Sequence, residues 1–291
     1  MLKPSISDGK PIPLLLDNGS LRPEATLSLR RLAEALSEET GETVWPVSLL
    51  HSSKVDPDKL GGKPADTFVR FIKAMYEKGH SRFRVIPLFF GPSGALVDYL
   101  PEKIRSLRQT RPGLEVQIAP CLCPGDPSSD RLVVGMLADA VKATQRLEGL
   151  VKPRVALVDH GSPSPMVTQV RNRLALYLSN FLFGAVEQVA PCSMERREGP
   201  EFAFNEPLLA RLLREPGWRD GPVIVAMLFL QPGKHAGMGG DIARICVGAE
   251  MEYPTLRCHM TPLIAQHRNL IPLLSRRVKV SEPSLYAGAG R

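Results

Sequence analysis

The sequence predicts an α/β protein that consists of two tandem flavodoxin-like domains. The first supporting observation is an internal repeat, in which three pairs of similar segments lie 140 to 142 residues apart. The second is a series of short apolar runs that alternate with helical patterns, which is typical of parallel strands covered by helices on both faces. The third is the position of Pro and Gly, which end most of these runs. The matching segments end at Ser20 and Ser162, at Pro92 and Pro232, and at Pro120 and Pro262.

Each copy is predicted to run strand then helix four times, which gives a four-stranded parallel sheet in each. The predicted strands of the first copy are 12–17, 43–50, 83–90 and 114–119, and its helices are 22–39, 65–78, 96–109 and 129–147. Those of the second copy are strands 154–159, 185–190, 222–230 and 255–261, and helices 165–182, 205–214, 239–250 and 266–278. The predicted domains are therefore 1–150 and 151–291, related by a pseudo-two-fold axis.

The composition is that of an ordinary globular protein, because 43% of the residues are hydrophobic and 23% are charged. A net charge of +7 favours an anionic partner. Lys and Arg are dispersed rather than clustered, which argues against nucleic acid. The N-terminus lacks an apolar leader, and no apolar run has membrane-spanning length. We therefore expect a cytoplasmic monomer that binds neither nucleic acid nor membrane.

Several motifs of other chemistries are missing from the sequence. There is no GxxxxGK[S/T] phosphate loop, no GxGxxG after the first strand and no GxSxG nucleophile elbow. Nucleotide chemistry and serine hydrolysis are therefore disfavoured. The five cysteines include one C-x-C pair, Cys121 and Cys123, without a second pair at zinc-site spacing. A structural zinc site is therefore not expected.

Two histidines follow apolar strands that are predicted to end at the same edge of one sheet. His160 closely follows the run 155–158, and His235 follows the run 223–230 after a Pro–Gly turn. A single histidine is more often structural, but this edge is where α/β proteins bind ligands. We therefore predict that His160 and His235 face one cleft and form a functional site. Their unperturbed pKa of about 6.5 suits proton transfer, and imidazole suits borderline metals.

A carboxylate is predicted at the same edge. Glu195 follows the second strand of the second copy and is interpreted as support for a metal or as a proton acceptor, although a solvated charge cluster is the alternative. Glu198 takes this role if the loop register differs. The first copy has Asn18 in place of His160, and its segment 91–95 contains no histidine. Since an amide is a poor base and a weak metal ligand, the second copy is expected to carry the chemistry.

These residues resemble the class II tetrapyrrole chelatases of the sirohydrochlorin chelatase type (CbiX/SirB), in their two-domain fused form. The resemblance rests on His160-Gly-Ser162, on Leu228-Phe-Leu230 with Pro-Gly-Lys-His235, on Asp241-Ile242 and more weakly on Glu195. It implies a lyase-type chelatase that inserts a divalent metal into sirohydrochlorin or a related tetrapyrrole of cobalamin or siroheme biosynthesis. The metal is a substrate, Co²⁺ or Fe²⁺ with Ni²⁺ as a further candidate, and no organic cofactor is implied.

The resemblance also implies roles for individual residues. It assigns metal binding and proton removal to His160, Glu195 and His235. It assigns contacts with the tetrapyrrole to Ser162, Gly233 and Lys234. Because sirohydrochlorin is a polycarboxylate, the positive charge of Lys234 would help to capture it, and Arg171 and Arg173 are weaker candidates for the same task.

A competing interpretation is a non-catalytic protein that binds a metal or a tetrapyrrole on a chelatase fold. The first copy motivates it, because this copy lacks the histidine pair. Stoichiometric binding without turnover would distinguish this protein from an enzyme.

Overall fold

The structure is a computed structural model that describes residues 9–237 and 239–279. The strands are β1 (Ile12–Asp17), β2 (Trp45–Ser48), β3 (Arg82–Pro87), β4 (Glu115–Ile118), β5 (Arg154–Asp159), β6 (Val189–Ser193), β7 (Gly221–Met227) and β8 (Leu256–Met260). The helices are α1 (Pro23–Thr40), α2 (Phe68–Glu77), α3 (Leu100–Thr110), α4 (Pro127–Leu147), α5 (Pro165–Phe181), α6 (Leu209–Leu212), α7 (Asp241–Glu252) and α8 (Leu270–Lys279). Among these described residues, no helix has the length and apolar content needed to cross a bilayer.

The strands form two four-stranded sheets with the same order of strands. The orders are β2-β1-β3-β4 and β6-β5-β7-β8, and every neighbouring pair is parallel. This arrangement confirms the predicted α/β class with two tandem four-stranded parallel sheets. In each sheet the first strand of the copy lies between the second and third strands. The chain therefore reverses its direction of travel across the sheet at β5, which is where α/β sheets form a crevice for ligands.

The three strands around this crevice end at the same level. All six residues of β5 are buried, which explains its continuous apolar run. Asp159 of β5 pairs in register with Ser193 of β6. The N–H of Leu228, just after β7, donates to the carbonyl of Val158 at 2.9 Å. The residues that follow β5, β6 and β7 thus emerge at one edge of the sheet.

Helices α1 and α5 bury side chains at corresponding positions, as expected for two copies of one domain. Both begin with proline, which is favoured at the first position of a helix. Buried positions recur every three or four residues, as expected for a helix with one face against a sheet. They include Thr26, Leu29, Leu32 and Leu36 in α1 and Thr168, Arg171, Leu174 and Leu178 in α5. Arg171 therefore occupies a core position that Leu29 occupies in the first copy.

Two predicted elements of the second copy differ from the structure. The strand predicted at 185–190 lies at Val189–Ser193, and the helix predicted at 205–214 is shortened to Leu209–Leu212. A 3-10 turn at Pro200–Asn205 precedes this helix. Proline provides no backbone N–H, so Pro200 and Pro207 prevent a continuous helix through this segment.

The described residues divide into two compact units that differ from the predicted domains 1–150 and 151–291. Unit 1 contains residues 9–122 and 271–279, and unit 2 contains residues 123–237 and 239–270. Helix α4 packs against α5 and β7 in unit 2. Helix α8 belongs to unit 1, where the carbonyl of Val278 accepts a hydrogen bond from Arg84. The fourth helix of the first copy thus lies in unit 2 and nearly all of that of the second copy in unit 1, so the compact units do not follow the predicted boundary at residue 150.

Candidate functional site

His160 is the first residue after the central strand of unit 2. Its imidazole is about half exposed, and Nδ1 lies 3.1 Å from the carbonyl oxygen of Gly161. Gly161 has a φ of 91°, and a Cβ at this position would overlap the backbone carbonyl of Glu195. This close approach requires glycine, and it turns the chain sharply so that the imidazole of His160 lies outside the sheet edge.

His235 reaches the same place from the loop after β7. The N–H of Gly233 donates to the carbonyl of Ala236 at 3.0 Å and closes a tight turn around the histidine. The rings of His160 and His235 have centroids 4.6 Å apart and planes at 78° to each other. The two histidines that the sequence singled out therefore lie side by side.

Glu195 lies beside one of these imidazoles. Its Oε1 is 3.5 Å from Nε2 of His160, and its backbone N–H donates to the carbonyl of His160 at 3.2 Å. Of the two glutamates considered from the sequence, Glu195 is thus the one in contact with the pair. Across residues 9–237 and 239–279, no three His, Cys, Asp or Glu side chains are arranged to hold one metal ion. The site is therefore a histidine pair with a flanking carboxylate.

Asp241 is a member of the site to which the sequence analysis gave no role. It is the first residue of α7, and its Oδ2 lies 2.5 Å from Nδ1 of His235. Its Oδ1 accepts a hydrogen bond from Arg244. The hydrogen bond to His235 and the charge of Arg244 lower the pKa of Asp241. The sequence signal for it was an acidic residue in the first turn of a helix shortly after the histidine, where carboxylates are favoured.

A buried polar network supports the loop after β5. Oδ1 of Asp159 accepts hydrogen bonds from the N–H of Gly161 at 3.1 Å and from the hydroxyl of Ser193 at 2.6 Å. Arg171 is fully buried, donates to the oxygen of Ser193 and lies 3.7 Å from Asp159. Burial raises the pKa of Asp159, and the hydroxyl of Ser193 and the charge of Arg171 oppose this shift. Buried charges need such partners, so the network fixes the end of β5.

Asn205 extends this network to Ser162. The N–H of Ser162 donates to Oδ1 of Asn205, and Nδ2 of Asn205 donates back to the carbonyl of Ser162, both at 2.9 Å. The carbonyl of Asn205 also accepts a hydrogen bond from Arg171 at 2.9 Å. The hydroxyl of Ser162 accepts the N–H of Ser164 at 3.0 Å, in the turn that leads into α5. The structure thus gives Ser162, an expected tetrapyrrole contact, a role in shaping the loop.

The basic residues suggested for anion capture divide into two groups. Lys234 is exposed and directly precedes His235. Arg171 is buried in the network described above, and Arg173 forms an ion pair with buried Asp130, with Nε 2.5 Å from Oδ2. Arg171 and Arg173 are therefore corrected from candidate substrate contacts to structural residues, while Lys234 remains available to an anion.

A cavity of about 430 Å³ opens beside the carboxylates of the site. Its lining includes Glu195, Asp241, Arg214 and Arg244, so it presents charges of both signs. A cavity of about 470 Å³ in the same unit lies between α4 and residues 262–268 and contains neither imidazole. His160 and His235 line neither cavity, but the smaller one adjoins the pair through Glu195, which lies beside His160, and Asp241, which contacts His235.

Unit 1 repeats the backbone of this site with different side chains. Asn18 follows β1 as His160 follows β5, and the N–H of Leu50 donates to the carbonyl of Asn18 at 3.1 Å. Leu50 thus corresponds to Glu195, whose N–H makes the same bond to His160. In the described residues, the imidazole and the carboxylate of this arrangement belong to unit 2.

Solved structures of known proteins resemble this chain, whereas no family model and no curated protein matches it. SirB from Bacillus subtilis with Fe³⁺ superposes with a TM-score of 0.65 and 16% identity, over 92% of this chain and 94% of that chain. The sirohydrochlorin chelatase SirB from Bacillus subtilis subspecies spizizenii, in complex with cobalt, superposes with a TM-score of 0.64 and 17% identity, also over 92% of this chain and 94% of that chain. CbiX, the terminal enzyme for biosynthesis of siroheme in denitrifying bacteria, superposes with a TM-score of 0.58 and 14% identity, over 94% of this chain and 100% of that chain.

These superpositions extend over nearly the whole chain. The chain therefore has the class II chelatase fold, as its motifs predicted. Two of the similar structures are of the sirohydrochlorin chelatase SirB and the third is of CbiX. Because the identities are only 14 to 17%, this likeness shows the fold, and any activity has to be argued from the site.

Proposed function

We propose that this chain is a metal chelatase that inserts a divalent metal, Co²⁺ or Fe²⁺, into sirohydrochlorin or a related anionic tetrapyrrole. The observation that carries this proposal is the contact of the His160 and His235 rings, 4.6 Å apart at the carboxyl edge of a parallel sheet. The similar structures with Fe³⁺ and with cobalt support the choice of metals.

The chemistry needs the groups that the site offers. Metal insertion requires a metal that has lost part of its water shell and the removal of two protons from pyrrole nitrogens. Imidazole nitrogens bind borderline divalent metals and accept protons near neutral pH. Two nitrogens bound to one ion at about 2.1 Å lie roughly 3 to 4 Å apart, which suits neighbouring rings. We assign His160 and His235 to both tasks and Glu195 to the support of His160.

A site with only a few protein ligands favours transfer of the metal to the macrocycle. An ion held by two imidazoles keeps open positions, which water and then the pyrrole nitrogens can occupy. A complete cage of protein ligands would retain the ion instead. The exposed ammonium group of Lys234, next to His235, would attract the carboxylates of the macrocycle.

The direct test mixes the purified chain with sirohydrochlorin and either Co²⁺ or Fe²⁺ and follows the absorption spectrum of the macrocycle. His160→Ala and His235→Ala should each lower the insertion rate by about 100-fold or more, because each removes a ligand and a base. His80→Ala, which changes a histidine of unit 1, should insert metal normally. Thermal unfolding of all three variants checks that they fold. Normal rates in both site variants would exclude this function.

A second candidate is a protein that binds a metal or a tetrapyrrole without catalysis. It is favoured by the lack of a three-ligand group among the described residues and by Asn18 and Leu50 in unit 1. The same assay separates the two candidates, since an enzyme converts many equivalents of macrocycle and a binding protein changes the spectrum of one equivalent at most.

A further inference from the structure

We infer that Asp241 is a positioning residue that holds His235 in one tautomer, with the proton on Nδ1 and the lone pair of Nε2 free for a ligand. The use of this arrangement in metal insertion rests on the proposed function. The arrangement itself rests on the hydrogen bonds of Asp241, His235 and Arg244.

The hydrogen bond between Asp241 and His235 determines the tautomer. Oδ2 of Asp241 lies 2.5 Å from Nδ1 of His235. An ionised carboxylate can only accept a hydrogen bond, so Nδ1 of His235 has to donate it. In the neutral ring the other nitrogen, Nε2, then carries the lone pair. Carboxylates that accept from the distal nitrogen of a metal-binding histidine fix its orientation in the same way.

Arg244 determines which oxygen of Asp241 faces the histidine. Its Nη2 donates to Oδ1 of Asp241, and its Nη1 donates to the carbonyl of Gly239 at 3.0 Å. Asp241 is also tied to the histidine loop by the backbone, because the N–H of Ile242 donates to the carbonyl of His235 at 3.2 Å. Each oxygen of the Asp241 carboxylate therefore has its own donor: Oδ1 accepts from Arg244 and Oδ2 accepts from His235.

The other imidazole of the pair has a matching arrangement. Nδ1 of His160 lies 3.1 Å from the carbonyl oxygen of Gly161, which can only accept a hydrogen bond. When Nδ1 of a neutral His160 donates to this carbonyl, Nε2 carries the lone pair, on the side of the ring where Oε1 of Glu195 lies 3.5 Å away. Both rings then present Nε2 as the metal-binding atom. The acceptor for the Nδ1 proton is Asp241 at His235 and the carbonyl of Gly161 at His160.

Asp241→Asn tests the inference, because the guanidinium of Arg244 can only donate and still needs an oxygen as its hydrogen-bond acceptor. The amide of the variant would turn its oxygen to Arg244 and its NH₂ group to Nδ1 of His235. Nδ1 would then have to accept, and the proton would move to Nε2. The ¹⁵N shifts of the neutral imidazole, recorded at alkaline pH, should show Nδ1 as the protonated nitrogen in the natural chain and Nε2 in the variant.

Binding of Co²⁺ alone gives a second measurement. Asp241→Asn should weaken Co²⁺ binding by about 10- to 100-fold, as loss of a carboxylate partner does at other metal-binding histidines. Adding Arg244→Gln to Asp241→Asn should restore part of the affinity, because the amide oxygen is then free to turn towards His235. A merely structural role of Asp241 would not give this rescue. Asp139→Asn is the matched control, since Asp139 lies 3.4 Å from another imidazole of unit 2, that of His267.

Two outcomes would overturn the inference. One is a natural chain in which Nε2 of His235 carries the proton. The other is an Asp241→Asn variant that keeps both its tautomer and its Co²⁺ affinity. Either result can occur while His235→Ala abolishes metal insertion, so the inference can fail while the proposed function stands. Conversely, full insertion activity in His235→Ala and His160→Ala would exclude the function and leave the tautomer measurement valid.

Discussion

Asp17 and Asp159 occupy equivalent positions at the ends of β1 and β5, and both carboxylates are buried. Each pairs in register with a serine of the neighbouring strand. Burial raises the pKa of both, and it raises that of Asp17 to about 6. At Asp159 the charge of Arg171 opposes this shift, whereas the corresponding residue of α1 is Leu29. The two copies therefore support the same buried carboxylate in different ways.

Asp17→Asn is expected to remove a pH-dependent loss of stability. The pKa of Asp17 is about 6 in the folded state, above the ordinary value of 3.8, so folding favours the protonated form. The stability from this protonation is complete below the ordinary pKa and is lost as the pH rises through the folded pKa. Between about pH 4 and pH 7.5, the free energy of unfolding of the natural chain should fall by about 2 kcal/mol relative to Asp17→Asn.

Urea unfolding at several pH values measures this difference. Glu34→Gln, which changes an exposed carboxylate of helix α1 in the same unit, is the control and should follow the natural chain. Parallel pH curves for the natural chain and Asp17→Asn would show that Asp17 does not titrate with a raised pKa.

Arg171→Leu, which introduces the residue of the first copy, is expected to destabilise the chain by about 3–5 kcal/mol. The change removes the buried partner of Asp159 and the hydrogen bonds to Ser193 and Asn205. A carboxylate left uncompensated in the interior causes most of this cost.

The double variant Arg171→Leu with Asp159→Asn distinguishes charge from packing. It should recover part of the lost stability, because the amide carries no charge to leave unpaired. Chemical denaturation of the single and double variants provides the comparison. If Arg171→Leu were as stable as the natural chain, the network would not support the loop after β5.

Much of the fold was accessible from the sequence because the signals were local. The repeat, the apolar runs and the Pro–Gly punctuation predicted two parallel sheets, and the structure confirms them. The same reasoning placed His160 and His235 after strands that are neighbours in the sheet. The prediction of a shared site needed only that the two strands be parallel in one sheet, because their carboxyl ends then lie at one edge.

The remaining features depend on contacts that sequence periodicity does not encode. A charged residue on a helix is expected to be exposed, so the burial of Arg171 was predictable only with knowledge of Asp159 beneath it. The link between Asp241 and His235 depends on the path of a Gly-rich loop. The assignment of α4 to unit 2 and of most of α8 to unit 1 depends on long-range packing.

Gly161→Ala is expected to weaken metal binding by displacing the loop that carries His160. The φ of 91° disfavours alanine, and a Cβ would overlap the carbonyl of Glu195. Relief of this overlap has to move either His160 or Glu195, so Co²⁺ binding should weaken by about 10-fold or more.

The matched control for this change is Gly184→Ala. Gly184 has a similar φ of 78°, but a Cβ there would meet no atom within 4 Å. It should lose about 1–2 kcal/mol of stability from backbone strain and bind Co²⁺ normally. Calorimetric titration with Co²⁺ measures both variants, and equal affinities would mean that the close approach at Gly161 does not position the site.

Lys234→Glu is expected to weaken capture of the anionic macrocycle while leaving the chemical step largely intact. Lys234 is exposed beside His235, so its charge acts on the approaching carboxylates across solvent. Reversing it should raise KM about 3- to 10-fold at low ionic strength with little change in kcat, and the effect should shrink as salt screens the charge.

Lys73→Glu, an equal charge change on the exposed side of α2, controls for net charge and should leave KM nearly unchanged. Steady-state kinetics at low and high salt test this prediction. An equal rise in KM for both variants would assign substrate capture to the overall charge of the chain, and an unchanged KM in Lys234→Glu would remove Lys234 from the substrate site.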